Sequence, residues 1–356
     1  MRRKNIFSVP SSMKLRSVGF DLSDRSIKFV ELKETKHGFV LGKYGRETVP
    51  PGILQSGKII DKEKLKNIIK SLHGKTTTPY VRMALPEEQV YLFSIRLPKS
   101  KPKEVETAIE LSLEDNIPIP AQDAVFDYEC VKEDKDHMDF VVVASPRQTI
   151  EDYVSMFDGT GFIPLSFELE AQAIARSIVK DKTAGVVMVV DIGETRTGIS
   201  VIEDGHVVLA STVEIGGASL TDLIQKKLGV SRESAEKWKK EFGLESHNEA
   251  PELPETIMGS LSALHDEINK AYVYWHNHKD ENEEKRGAIS SIFLCGGESA
   301  LPGLPQYLSS TMGVSVSLGN PWVNITDLSY YVPEINQKDS LAYATAIGLA
   351  LAENDK

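Results

Sequence analysis

The sequence predicts an α/β protein of two similar lobes facing a cleft. Three observations carry that prediction. Strand-like and helix-like segments alternate along the chain, the mark of α/β architecture. One pattern, an apolar strand ending in Asp, a polar tight turn and a second strand, occurs twice. It reads Val18-Gly19-Phe20-Asp21-Leu22-Ser23 and, 170 residues later, Val189-Val190-Asp191-Ile192-Gly193-Glu194. The length is 356 residues with 41% hydrophobic and 26% charged, enough for two or three domains with a sizeable core.

The elements follow in order. Residues 17–22 and 27–32 are short apolar runs around Ser23-Asp24-Arg25-Ser26 and read as a hairpin. Residues 62–72 place Leu65, Ile68, Ile69 and Leu72 at helical spacing. Residues 81–85 and 90–97 read as strands, 104–114 as an amphipathic helix, and Ile117-Pro118-Ile119-Pro120 as extended, since two prolines exclude helix. Strands at 125–131 and 140–144 follow, then helices at 148–157 and 168–180, the first ended by Gly159-Thr160-Gly161. The first theme then recurs, with strands at 185–192, 198–203 and 207–215. Residues 219–285 read as mostly helical, broken near Pro251 and Pro254. A buried strand at 289–295 and a small-residue helix at 340–351 complete the chain.

Composition excludes several classes. A net charge of −11 without a long basic run is poorly suited to nucleic acid. Cys130 and Cys295 stand far apart in no zinc-ligand spacing, which argues for a reducing compartment. No apolar run is long enough to cross a membrane, and Met1-Arg2-Arg3-Lys4 is followed by no apolar signal region. Those basic residues read as a solvated tail.

The recurring turns are where chemistry is expected. A tight turn between strands points backbone N–H groups into one concavity that suits an anion, and small side chains let phosphate approach. Asp21 and Asp191 would add hard oxygen ligands for Mg²⁺ held through its water shell. The plainer role for either Asp is to cap its turn. The second turn is the better phosphate site, because Gly193, Thr195, Thr197 and Gly198 are small or hydroxylic. In Leu294-Cys295-Gly296-Gly297-Glu298, two residues without Cβ would let a flat base lie on the main chain, unless they only serve the turn. Glu236 and Lys239 share a helix face and could bond ribose and base, or merely pair with each other.

These elements in this order resemble the actin-like ATPase superfamily. Residues 21–28, 168–176, 191–198, 294–303 and 340–350 match its phosphate 1, connect 1, phosphate 2, adenosine and connect 2 segments. The resemblance sharpens to the PilM family of type IV pilus assembly proteins. It rests on Ile95-Arg96-Leu97-Pro98, Asn116-Ile117-Pro118, Ile215-Gly216-Gly217, Asn320-Pro321 and Ala344-Thr345-Ala346-Ile347-Gly348, over roughly residues 14–352.

The resemblance implies a two-lobed actin-like (ribonuclease H-like) ATPase fold with an inserted small α+β subdomain. The expected division is a tail at 1–13, the first lobe at 14–83, the insert at 84–163, a connecting helix and return at 164–184, the second lobe at 185–339 with a helical region at 219–285, and a connecting helix at 340–356. It implies ATP and Mg²⁺ as ligands, with Asp21 and Asp191 serving the metal. Ser23, Asp24, Arg25, Lys28, Gly193, Glu194, Thr195, Arg196, Thr197, Gly216, Gly217, Glu236, Lys239, Gly296, Gly297 and Glu298 are the expected nucleotide contacts. Glu168 and Glu170 are the candidates for positioning an attacking water, with hydrolysis slow or absent. The implied role is cytoplasmic and peripheral to the inner membrane, docking the N-terminal peptide of a PilN-like bitopic protein, with other assembly proteins and self-association among the contacts.

Two departures stand out. Ser23 replaces the superfamily's usual Gly in the first loop, and Glu168 stands where connect 1 commonly begins with Asp. The alternatives are an FtsA-like cell-division protein, a small-molecule kinase of the same superfold and a nucleotide-free scaffold. The absence of an amphipathic tail after Ala352 counts against the first, and no acceptor-site motif supports the second.

Overall fold

The two hairpins expected from the repeat each start a five-stranded sheet. The computed structural model describes residues 15–181, 183–278, 286–325 and 329–352. The 1–13 tail, with its basic residues, lies outside them.

In the first lobe, β1 (Val18–Ser23) is buried on both faces and pairs antiparallel with β2 (Ser26–Thr35), which pairs with β3 (Gly38–Thr48). A small hairpin, β4 (Leu54–Gln55) and β5 (Lys58–Ile59), leads to α1 (Lys62–Leu72). That helix starts where the Asp61 side chain accepts the Lys64 N–H, and it buries Leu65, Ile69 and Leu72 against β1 and β2. Strand β6 (Tyr80–Leu85) then pairs parallel with β1.

The chain leaves the lobe to build β7 (Tyr91–Pro98), α2 (Pro102–Asn116), β8 (Ala124–Glu133) and β9 (His137–Pro146). The strands form an antiparallel sheet in the order β7-β9-β8. Val105, Ile109 and Leu113 of α2 pack on Phe140, Val142 and Ala144, a core of its own. This unit spans residues 91–146, narrower than the expected 84–163. Leu85 belongs to β6, and Tyr153, Met156, Phe157 and Phe162 are buried with Phe20 and Leu65 in the first lobe. The chain has therefore returned by α3 (Arg147–Ser155).

Strand β10 (Ile163–Leu169) and α4 (Glu170–Ile178) follow. The expected helix at 168–180 thus begins two residues late. Glu168 lies on a strand in register with Ala84 of β6, because parallel pairing to β6 holds that segment extended.

The second lobe repeats the plan with β11 (Val186–Ile192), β12 (Thr197–Glu203) and β13 (His206–Val213). Helices α5 (Gly217–Leu228), α6 (Arg232–Glu241) and α7 (Leu253–Asn277) come next. Pro254 does not break α7; it sits in the first turn, where a missing N–H costs nothing. After β14 (Ile289–Cys295) come α8 (Leu304–Met312), β15 (Ser315–Leu318), α9 (Gln337–Ser340) and α10 (Ala344–Leu351). The expected single helix at 340–351 is α9 and α10 joined by a 3₁₀ turn, Leu341–Tyr343.

The sheet orders are β3-β2-β1-β6-β10 and β13-β12-β11-β14-β15, the same arrangement in both lobes. Leu169 and Ile174 of the first lobe pack with Val187, Val189 and Cys295 of the second and with Leu341 and Ala344, so one apolar cluster joins the lobes beneath the cleft. Among the described residues, no helix is long and apolar enough to cross a membrane.

Candidate functional site

Between the lobes lies a cleft of about 1020 Å³. Both strand-end carboxylates line it, Asp21 from β1 and Asp191 from β11. Asp21 is only 3% exposed and accepts from Lys28 Nζ at 2.6 Å, its partner across the hairpin. Cys295 Sγ lies 3.7 Å from Asp191 Oδ1. Burial, then the charge of Asp21, pushes the Asp191 carboxyl up to about 6. Burial likewise drives the Glu170 carboxyl well above its usual range, against the attraction of Arg196.

The first turn holds Ser23, Asp24 and Arg25 on the cleft wall. Ser23 Oγ donates to Ser26 O at 3.1 Å, and the only non-glycine residues with positive φ among those described are Ser56 and Asp204. Serine at this position therefore strains nothing. Asp24 is partly committed, since its carboxylate accepts the Ser56 N–H at 3.1 Å.

In the second turn, Gly193, Glu194, Thr195 and Arg196 line the cleft. Thr197, Gly216 and Gly217 do not. Thr197 is fully buried and donates to Ile215 O at 2.7 Å. A Cβ at Gly216 would lie 2.6 Å from Glu194 O, and the Gly217 and Ala218 N–H groups donate to Gly193 O and Glu194 O. These glycines let the start of α5 brace the 193–196 turn from behind, and their small size permits that close approach.

The expected adenosine end divides similarly. Lys239 is 1% exposed, with Nζ within 3.1 Å of Gly217 O, Thr221 Oγ1, Glu236 Oε2 and Glu298 Oε2. An ammonium with three donors is saturated by these acceptors, so Lys239 fastens α5, α6 and the Gly-Gly turn together. Burial opposes the Glu236 charge, but hydrogen bonds from Lys239, Lys240 and Thr221 prevail and hold its carboxyl at about 2. Gly296 has φ +91° and a Cβ there would meet Ile192 O at 2.3 Å, whereas at Gly297 only Ala342 Cβ is near, at 3.7 Å. All three of Gly296, Gly297 and Glu298 border the cleft, but Gly296 is held by the turn while Gly297 has space beside it.

Of the two catalytic candidates, Glu170 lines the cleft and Glu168 does not. Glu168 is spent on an ion pair with Arg176 at 2.9 Å. Sequence reasoning missed Glu87, a half-buried carboxylate lining the cleft that accepts from Thr212 Oγ1 at 3.0 Å. Burial pushes it up to about 8, against that hydrogen bond. The available signal was its place just after β6, at the C-terminal edge of the parallel strands where open α/β sheets gather ligands.

The comparisons agree with this architecture. Among solved structures, a PilM–PilN type IV pilus biogenesis complex matches with a TM-score of 0.80 and 23% identity, covering 96% of this chain and 100% of that one. MreB5 of Spiroplasma citri bound to AMPPNP matches with a TM-score of 0.55 and 13% identity, covering 94% and 95%. The fold is thus that of the actin-like ATPases. Cell division protein FtsA of Bacillus subtilis (strain 168) is 27% identical over 164 residues, 42% of this chain and 37% of FtsA. This chain therefore spans little more than a third of that curated relative. A family profile for type IV pilus assembly protein PilM matches residues 19–354. Matched over nearly its whole described length, the chain belongs to the PilM family of type IV pilus assembly proteins.

Proposed function

We propose that the cleft binds ATP with Mg²⁺ and that the protein is a cytoplasmic adaptor of pilus assembly, held at the inner membrane by the N-terminal peptide of a PilN-like bitopic protein. The observation that carries the nucleotide reading is the pair Asp21 and Asp191, equivalent strand ends of two lobes, lining one cleft. Their neighbours Glu87 and Glu170 bring further carboxylate to the cleft beside the cations Lys28 and Arg196, and burial, with the charge of nearby carboxylates added, raises the Asp191, Glu87 and Glu170 carboxyls. A divalent ion fits such a donor set. Asp21 and Asp191 would hold such an ion partly through its water shell and the phosphates. When bound, Mg²⁺ supplies charge neutralisation for the phosphates. The protein's own part is to present the Gly193–Arg196 backbone and to keep Asp191 oriented. Calorimetry with Mg²⁺ and ATP tests this: Asp191→Ala should lose at least about tenfold in affinity. Unchanged affinity in a folded variant would refute the assignment.

The partner reading rests on the insert beside the first lobe. Val125 of β8, Val154 of α3 and Ile163 and Leu165 of the edge strand β10 are exposed apolar residues. A short extended peptide would gain main-chain hydrogen bonds at such an edge and specificity from side-chain pockets. A fluorescence titration with the first dozen or so residues of a PilN-like partner tests it. The titration should saturate, and a flat one would leave an actin-like nucleotide-binding protein with another partner. Slow hydrolysis, or none, is the expected behaviour, with Glu170, which lines the cleft, the candidate for positioning water.

A further inference from the structure

One side chain of the phosphate turn reaches across the cleft to the first lobe. Arg196 Nη1 lies 3.1 Å from Glu88 Oε1 and 3.7 Å from Asp24 Oδ1, and Nη2 lies 3.8 Å from Glu170 Oε2. Nη1 is buried yet makes no aligned hydrogen bond. Nη1 is held by charge, in a geometry that a better acceptor would improve upon.

Glu88 belongs to the turn Pro86–Gln89, the link between β6 of the first lobe and β7 of the insert. That turn touches all three parts of the molecule. Gln89 Nε2 donates to Ser56 O of the first lobe at 3.2 Å, and Ser145 Oγ of the insert donates to Gln89 O at 2.9 Å. Glu87 accepts from Thr212 of the second lobe, in the notch left by Gly198, where a Cβ would stand 3.2 Å from Glu87 Oε2. Leu92 of β7 continues the contact, packing with Val207 and Ala210 of β13.

We propose that Arg196 reads the terminal phosphates of a bound nucleoside polyphosphate, and that Glu88 competes with them for the guanidinium, so that nucleotide occupancy changes how the insert is held. This rests on the cleft being a nucleotide site. A terminal phosphate carries more charge than a carboxylate and matches the guanidinium fork bidentately. Its capture of Arg196 breaks the Glu88 pair and leaves the Pro86–Gln89 turn tied to the second lobe only through Glu87. Coupling of this kind is reciprocal, so whatever docks on the insert and shifts Glu88 also changes nucleotide affinity.

The test uses the full chain, calorimetry with ATP and Mg²⁺, and hydrogen–deuterium exchange over residues 86–98. In the wild type, ATP should bind and speed exchange in that segment, with ADP doing less. Glu88→Gln, nearly isosteric, should exchange faster without nucleotide, show no further change on adding ATP, and bind ATP roughly fivefold or more tightly. The proposal is overturned if ATP binds the wild type without altering exchange at 86–98, or if Glu88→Gln matches the wild type in both affinity and exchange. Absence of ATP binding to the wild type is a different result. It removes the nucleotide reading of the cleft, and this proposal with it.

Discussion

Asp191 and Glu87 are carboxylic acids placed where ionisation is resisted, and each has a consequence for pH. Burial raises Glu87 to about 8 and, with Asp21, raises Asp191 to about 6. An acid whose folded pKa exceeds its unfolded value keeps its proton longer in the native state. Its contribution is therefore fully present below the unfolded pKa and is lost as pH rises through the folded one. The nucleotide-free protein should lose stability from about pH 4 to about pH 8 through these groups. Glu87→Gln keeps an acceptor for Thr212 but has no charge to bury. Its melting temperature should match the wild type near pH 5 and exceed it by a few degrees at pH 8. A parallel pair of melting curves across that range would show that Glu87 carries no such penalty. Asp21 and Asp191 were legible in the sequence, because an Asp ending an apolar strand is a local pattern that occurs twice. Glu87 was not, since its partner Thr212 is 125 residues away and only folding brings them together.

At the scale of elements, adjacent glycines separate by role. Gly296 has φ +91° with backbone 2.3 Å from a notional Cβ, while Gly297 opens toward the cleft. Gly296→Ala should lower stability by about 1–3 kcal/mol, read as a drop in denaturation midpoint. Gly297→Val should melt like the wild type yet weaken ATP binding; normal binding would mean that the base lies elsewhere. The packing of α10 on α4 is tighter still. A Cβ at Gly348 would fall 1.7 Å from Ala173 O, and one at Gly19 of β1 2.0 Å from Ala346 O. The small residues of 340–351, legible in the sequence, permit close packing, but the sequence does not say which glycine meets which backbone. Gly348→Ala should cost at least about 1–3 kcal/mol, since helix backbone cannot move aside as a side chain can. A melt within a degree of wild type would show that α4 can give way.

For the molecule as a whole, the separate core of the insert makes it removable. Replacing 91–146 by a short flexible linker leaves Tyr153, Met156, Phe157 and Phe162 in the first lobe, whereas deleting 84–163 would remove them and part of β6. The shorter deletion should remain folded, bind ATP and lose the PilN-like peptide. Retained peptide binding would exclude the insert as the docking element. Glu104, Glu106, Glu110, Glu114 and Asp115 form an exposed acidic face on α2, so binding of a Lys- or Arg-bearing peptide to the full chain should weaken as salt rises from about 0.05 to 0.5 M. Salt-independent affinity would place the peptide away from that face.

Beyond the insert, which only the family resemblance implied, the sequence by itself determined the alternation of elements, the duplicated hairpins and the two facing lobes they imply. Those features are written in local periodicity and in repeated short patterns, which need no knowledge of distant neighbours. Tertiary structure alone decided the rest. It held 163–169 as a strand by pairing it to β6, returned α3 to the first lobe through a shared core, set Thr197, Gly216 and Gly217 behind the cleft wall, and committed Lys239, which lines the cleft, to Gly217, Thr221, Glu236 and Glu298. It also withdrew Glu168 into an ion pair and placed Glu87 and Glu88 at the junction of both lobes and the insert. Each of these depends on a long-range contact. A residue's chemistry can be read from its type, but whether that chemistry is offered to a ligand or consumed by the fold depends on what the rest of the chain sets beside it.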